Sequence, residues 1–182
     1  MHFANVWVQL AMVLATVLLF GGMLAINEWM FRSFEFAPGI NFIYLPAGVR
    51  LLCTLLFATA GAVGLLIVSW LVSFLVFFPG QFERPFWGGI IAAVAPYLVY
   101  LGARHAWGLH ASLQNLSPAR LLVLVLAYSI ASPLLHHVYF AFNGQQDLLR
   151  GFLAMFIGDL TGTLIVIYTI KGLLSLAPRR VA

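Results

Sequence analysis

The chain has 182 residues, of which 63% are hydrophobic and only 8% charged, and its mean hydropathy is +1.03. That is too little charge to cover a soluble domain, so the composition points to an all-α, polytopic transmembrane helical bundle forming a single integral membrane domain over residues 1–182. The formal charge of +4 comes from nine Lys and Arg scattered singly until Arg179-Arg180, a pattern that argues against a nucleic-acid face.

The first expected span covers residues 6–26, about 31 Å of helix and long enough to cross a bilayer. No charged segment or clear cleavage site precedes it, so a retained helix is expected rather than a signal peptide. Residues 27–44 read as a loop. Its aromatic residues Trp29, Phe31, Phe34, Phe36, Phe42 and Tyr44 fit an interfacial belt. Residues 45–78 are almost wholly apolar and too long for one span. The small-residue stretch ATAGAVG at 58–64 is the natural place for a tight helix–helix turn. That makes the second span short: residues 46–60 are about 22 Å of helix, less than the roughly 30 Å hydrocarbon core. The third span ends at Pro79-Gly80. The remaining three are expected at 86–103, 119–142 and 149–176. His105 and His110 lie in the loop before Pro118 and read as solvated residues.

About six spans put both termini on one side. With both inside, the inner flanks carry Arg104, Arg120, Lys171, Arg179 and Arg180, and the outer flanks Arg32, Arg50, Arg84 and Arg150. If Arg50 lies within the membrane, the positive-inside bias becomes five against three.

Asn41, Pro46, Gly48 and Arg50 are poor residues for an ordinary span. One arrangement accommodates them: residues 38–45 dip into the membrane as extended chain, and Pro46 opens a helix below the outer surface. A buried helix start of this kind offers unpaired N–H groups and a positive dipole end, and with Arg50 one turn further in it makes an anion site. The bland alternative is a tilted helix whose Arg50 snorkels to headgroups.

The sixth span holds Asp159, about 15 Å deep by helical rise, where a carboxylate must be protonated, solvated or paired. Gly158 and Gly162 permit close backbone approach, as do Gly21-Gly22 and Gly88-Gly89. In the fifth span Pro133 should kink the helix, and His136 and His137 follow within a turn. Arg50, Asp159 and one of the two His are therefore expected together in the outer half. The cluster reads either as a structural Arg50–Asp159 lock or as a ligand site, and the two are compatible. No catalytic constellation, metal-ligand spacing or cofactor motif is visible, and the lone Cys53 fits no disulfide or metal pattern. The expectation is a protein that is not an enzyme and carries no cofactor.

The stretch INFIYLPAGVRLLCTLLF (40–57), followed late in the chain by FIGDLTGTLIV (156–166), resembles bacterial MASE-type membrane-associated sensor domains of the first class. The resemblance implies a polytopic helical sensor in the bacterial inner membrane. It is carried by Pro46, Gly48 and Asp159. Members of that family are usually fused to an output module, whereas only 11 residues follow Lys171 here. The expectation is a stand-alone, shortened sensor or accessory module whose output lies in a partner membrane protein, with a small anionic ligand held by Arg50, Asp159, His136, His137, Pro46, Gly48 and Asn41. A substrate-binding subunit of a transporter and a structural subunit of a membrane complex are the alternatives.

Overall fold

The computed structural model describes residues 2–110 and 112–176, with side chains from residue 5 onward. Arg179 and Arg180 lie outside the described residues. Five helices make up most of the described chain: α1 (His2–Phe31), α2 (Pro46–Val72), α3 (Glu83–Trp107), α4 (Pro118–Phe142) and α5 (Leu148–Leu176). A 3₁₀ turn (Arg32–Phe34) and a two-stranded hairpin, β1 (Glu35–Ala37) with β2 (Ile40–Asn41), join α1 to α2. A π-helical turn (Ser73–Phe77) extends α2. All five helices are long and apolar enough to cross a membrane. The expected all-α transmembrane bundle is therefore present, built from five helices rather than six.

The difference lies in α2, which is not one rod. Ala58 sits at φ 49°, ψ −121°, the geometry of the first central residue of a type II′ turn, and the chain reverses there. A Cβ built on Gly61 would collide with the Cys53 carbonyl oxygen and stand 3.2 Å from the Thr54 nitrogen. Thr16 of α1 touches both Gly64 and Cys53. Arg50 and Ser69 line the same cavity, although a straight helix would hold them about 28 Å apart. The expected turn within 58–64 thus exists, at Ala58, and divides α2 into two helical arms. Its first arm, 46–57, is about 18 Å long, so it enters the bundle without crossing a bilayer.

Segments 32–45, 78–82 and 143–147 meet at one end of the bundle, the hairpin end. There Arg84 donates to the Pro38 carbonyl at 3.2 Å. Leu116 and Pro118 pack beside Lys171 and Leu174 at the other end. His110 is exposed there, as expected of a loop residue, whereas His105, also exposed, lies in the last turn of α3 and not in the loop. Leu51, Leu55, Leu65, Val125 and Tyr128 are almost fully buried and form the centre of the core.

Before α2 the chain descends into the bundle as extended backbone laid along α5. Tyr44 donates its N–H to the Gly158 carbonyl at 3.1 Å, and Thr161 donates to the Phe42 carbonyl at 3.1 Å. The segment can lie so close because α5 presents glycine beneath it. A Cβ at Gly158 would strike the Asn41 carbonyl, and one at Gly162 the Tyr44 carbonyl. These are the close approaches expected of the two glycines. Gly89 likewise makes room for Trp70, whereas Gly21, Gly22 and Gly88 have nothing within 4 Å. Those three therefore do not serve packing among the described residues. Trp29, Phe34, Phe36 and Phe42 are exposed, as an interfacial belt requires, but Tyr44 is buried.

Candidate ligand site

The site is built around the start of α2. Pro46 occupies the first helical position and is buried together with residues 47–51, so the expected buried helix start is observed. Its N–H groups are not free, however. Leu45 donates to the Asn27 side-chain oxygen at 2.9 Å. Ala47 and Gly48 donate at 3.1 Å to the carbonyls of Tyr44 and Leu45. With the donors of the first turn already bonded, the expectation of unpaired helix N–H groups as the anion holder is corrected. Whatever attraction this region has for an anion comes from the Arg50 side chain.

Arg50 is 8% exposed. Its guanidinium lies 5.1 Å from the centre of the Phe20 ring and 5.2 Å from that of Tyr44, a cation held by two aromatic faces. Nη2 donates to the Tyr44 hydroxyl across a long 3.4 Å, the Tyr128 side chain stands beside it, and Nε has no partner. Arg50 does not snorkel: it faces a cavity of about 70 Å³, whose wall also includes Phe20, Tyr44, Ser69, Gly88 and His136. That volume holds several waters or one small ligand.

Asp159 is 1% exposed, and its Oδ2 has no hydrogen-bond partner. Its polar neighbours are Arg50 and Ser132, yet no salt bridge forms among the described residues. Tyr44 and Tyr128 lie within electrostatic reach of both charges. Arg50 and Asp159 are thus neighbours without a hydrogen bond between them, two buried ionisable groups sharing a neighbourhood of tyrosines and serines. Ser129, Ser132 and Thr163 add further buried hydroxyls without partners.

The adjacent histidines divide. Nδ1 of His136 bonds the Ser132 carbonyl and Nδ1 of His137 the Pro133 carbonyl, each at 2.8 Å. A carbonyl only accepts, so each Nδ1 carries a proton and each Nε2 is left to act elsewhere. His136 lines the cavity with Arg50. His137 faces a separate chamber, with Nε2 against Gly151. Pro133 is accommodated within a continuous α4.

Of the residues expected to form the site, Arg50 and His136 share the cavity. Asp159 does not line it, although Arg50 and Ser132 are its neighbours, and His137 lines the separate chamber. Pro46, Gly48 and Asn41 do not line it. Pro46 starts the arm, Gly48 makes room for Val166, and Asn41 rests its backbone on Gly158. Sequence reasoning missed Phe20, Ser69, Tyr128 and Arg84, because residues on four separate helices carry no common spacing. No group of three or more metal-ligating side chains occurs among the described residues. Compared with known protein families, curated proteins and solved structures, the chain matches none.

Proposed function

We propose that this is a non-enzymatic membrane sensor or accessory module that binds a small anion at Arg50 and passes the signal to a partner membrane protein carrying the output. The observation that carries this reading is Arg50 itself. Its guanidinium is buried, free of any salt bridge, and faces a cavity with donors to spare. A permanently charged guanidinium buried without a counter-ion in contact is costly, and an anion in the cavity would offset that cost. The re-entrant arm couples occupancy to shape, because Arg50 lies one turn from the start of α2 and the opposite arm contributes Ser69 to the same wall. The likeness to MASE-type sensor domains in 40–57 and 156–166 supports the sensory role and a place in a bacterial inner membrane.

The proposed orientation puts the hairpin end outside and both termini inside. With Arg50 in the bundle, Arg32, Arg84 and Arg150 flank the hairpin end, and Arg104, Arg120 and Lys171 flank the other. The test is thermal unfolding of the purified protein in detergent, titrated with sodium formate, nitrate or chloride at constant ionic strength. A saturable rise in melting temperature that Arg50→Gln abolishes is the expected result. No rise with any of these anions, or a rise that Arg50→Gln leaves intact, refutes the proposal. Substrate binding on behalf of a transporter would use the same cavity; copurification with a transport ATPase would favour it.

A further inference from the structure

The cavity at Arg50 has a neighbour. A second chamber of about 180 Å³ lies toward the hairpin end, where His137, Gln145, Gln146 and Asp147 line it. The two chambers have four residues in common: Pro38, Ile40, Arg84 and Phe140. These four are the partition between them.

Three members of the partition are fixed by packing or backbone. Pro38 and Ile40 belong to the β1–β2 hairpin. Phe140 is buried and clusters with Ile40, Ala154 and Met155. Arg84 is the exception. It is only partly buried, and it reaches across from the first turn of α3. Its guanidinium lies 4.2 Å from the centre of the Phe78 ring and 5.7 Å from that of Phe140. One hydrogen bond, to the Pro38 carbonyl, holds its end. A long flexible side chain held by one neutral acceptor and a stacking face is the part of the wall that can swing.

Resting on the anion-binding reading above, we infer that the two chambers form one access path for a small monovalent anion, with the outer chamber as its capture station and Arg84 as the gate that passes it to Arg50. An anion meets a cation at each step of this path: Arg84 at the partition and Arg50 at the inner wall. Asp147, at the rim of the outer chamber, is the one carboxylate among the lining residues. Gln145, Gln146 and Asp147 give the lining a polar side, opposite the apolar Phe36, Ala37 and Leu148. A cation following the same route would have to pass both arginines.

The test does not need the natural ligand. In the full chain carrying Cys53→Ala, a single cysteine is placed at Ser69 in the inner chamber or at Gln146 in the outer one. Its reaction with anionic sulfonatoethyl and cationic trimethylammonioethyl methanethiosulfonate is timed in detergent. Gln146→Cys is expected to react readily with either reagent. Ser69→Cys is expected to react slowly and to favour the anionic one. Arg84→Ala should speed the reaction of Ser69→Cys about tenfold or more and remove its charge preference, leaving Gln146→Cys unchanged. A Ser69→Cys rate indifferent to Arg84→Ala overturns the inference, as does a preference for the cationic reagent. If Arg84→Ala does not fold, Arg84→Gln must still abolish the charge preference, and a retained preference overturns it equally. Gated labelling without anion binding at Arg50 would remove the proposed function and leave the path. Anion binding with ungated labelling would remove the path alone.

Discussion

The carbonyl of Tyr44 occupies the space where a side chain at Gly162 would begin. Through that contact α5 sets the depth of the extended segment 40–45, and the segment in turn sets where α2 starts and where Arg50 points. Gly162→Ala must push backbone away from backbone, since the neighbours are the Tyr44 carbonyl and, at 2.8 Å, the Leu45 nitrogen. Overpacking of this kind costs about 1–3 kcal/mol or more. The expected outcome is a clear drop in melting temperature in detergent for Gly162→Ala, and none for Gly21→Ala, which has open space around it. Equal behaviour of the two variants would show that the seam tolerates separation.

A second prediction concerns Ala58. Its φ of 49° with ψ −121° belongs to the region where glycine is free and a Cβ is strained. Nearby glycines do not relieve this, because Gly61 and Gly64 are committed to close contacts with Cys53 and with α1. Ala58→Gly is therefore expected to stabilise the fold by about 1 kcal/mol, and Ala58→Val to destabilise it. Thermal unfolding of both variants checks this. A loss of stability in Ala58→Gly would contradict the reversal at this residue.

Much of the fold was legible because it rests on hydropathy and small residues. The apolar runs gave the helices, and Pro46 marked the buried start. The ATAGAVG stretch located the reversal, although the turn residue is its alanine and not a glycine. Membrane helices announce themselves through composition, since water-exposed loops and lipid-exposed spans differ so sharply. The site was only half legible. Arg50, Asp159 and His136 stood out as expensive residues in apolar sequence. Tyr128, Phe20 and Ser69 are ordinary residues for a span, and only the packing of α1, α2 and α4 makes them neighbours of Arg50. Whether Arg50 and Asp159 touch depends on side-chain distances that spacing along two helices does not determine.

That distance leads to a third prediction. In a contacting buried pair, removal of one partner leaves an uncompensated charge at a cost of about 3–5 kcal/mol. Here Asp159 makes no salt bridge and one of its oxygens has no partner. Asp159→Asn preserves the shape, removes a buried charge and offers an N–H₂ to the hydroxyls nearby. The expected change in stability is therefore less than about 1 kcal/mol, well below the cost of breaking a buried pair. Denaturant or thermal unfolding in detergent measures it. A loss of several kcal/mol, restored by removing the Arg50 charge as well, would reinstate the ionic lock.

The last prediction tests the path of the chain through the membrane. Thr59, just after the reversal, shares a 3.0 Å hydrogen bond with the Tyr97 hydroxyl, while α3 runs on to Trp107. The ten residues between are about 15 Å of helix. The turn therefore stops short of the end of the bundle at which α3 terminates, and in a bilayer crossed by α3 residue 59 is expected within the hydrocarbon. In a Cys53→Ala background, Gln145→Cys at the hairpin end should react with a membrane-impermeant maleimide from outside intact cells. Gln114→Cys, in the loop between α3 and α4, should react only after permeabilisation. Thr59→Cys should react under neither condition and become reactive on solubilisation in denaturing detergent. Reversed labelling of Gln145→Cys and Gln114→Cys would invert the orientation and place the Arg50 cavity toward the cytoplasm. Labelling of Thr59→Cys as rapid as that of Gln114→Cys would show that the first arm of α2 crosses the whole bilayer, giving six complete spans in place of a re-entrant arm.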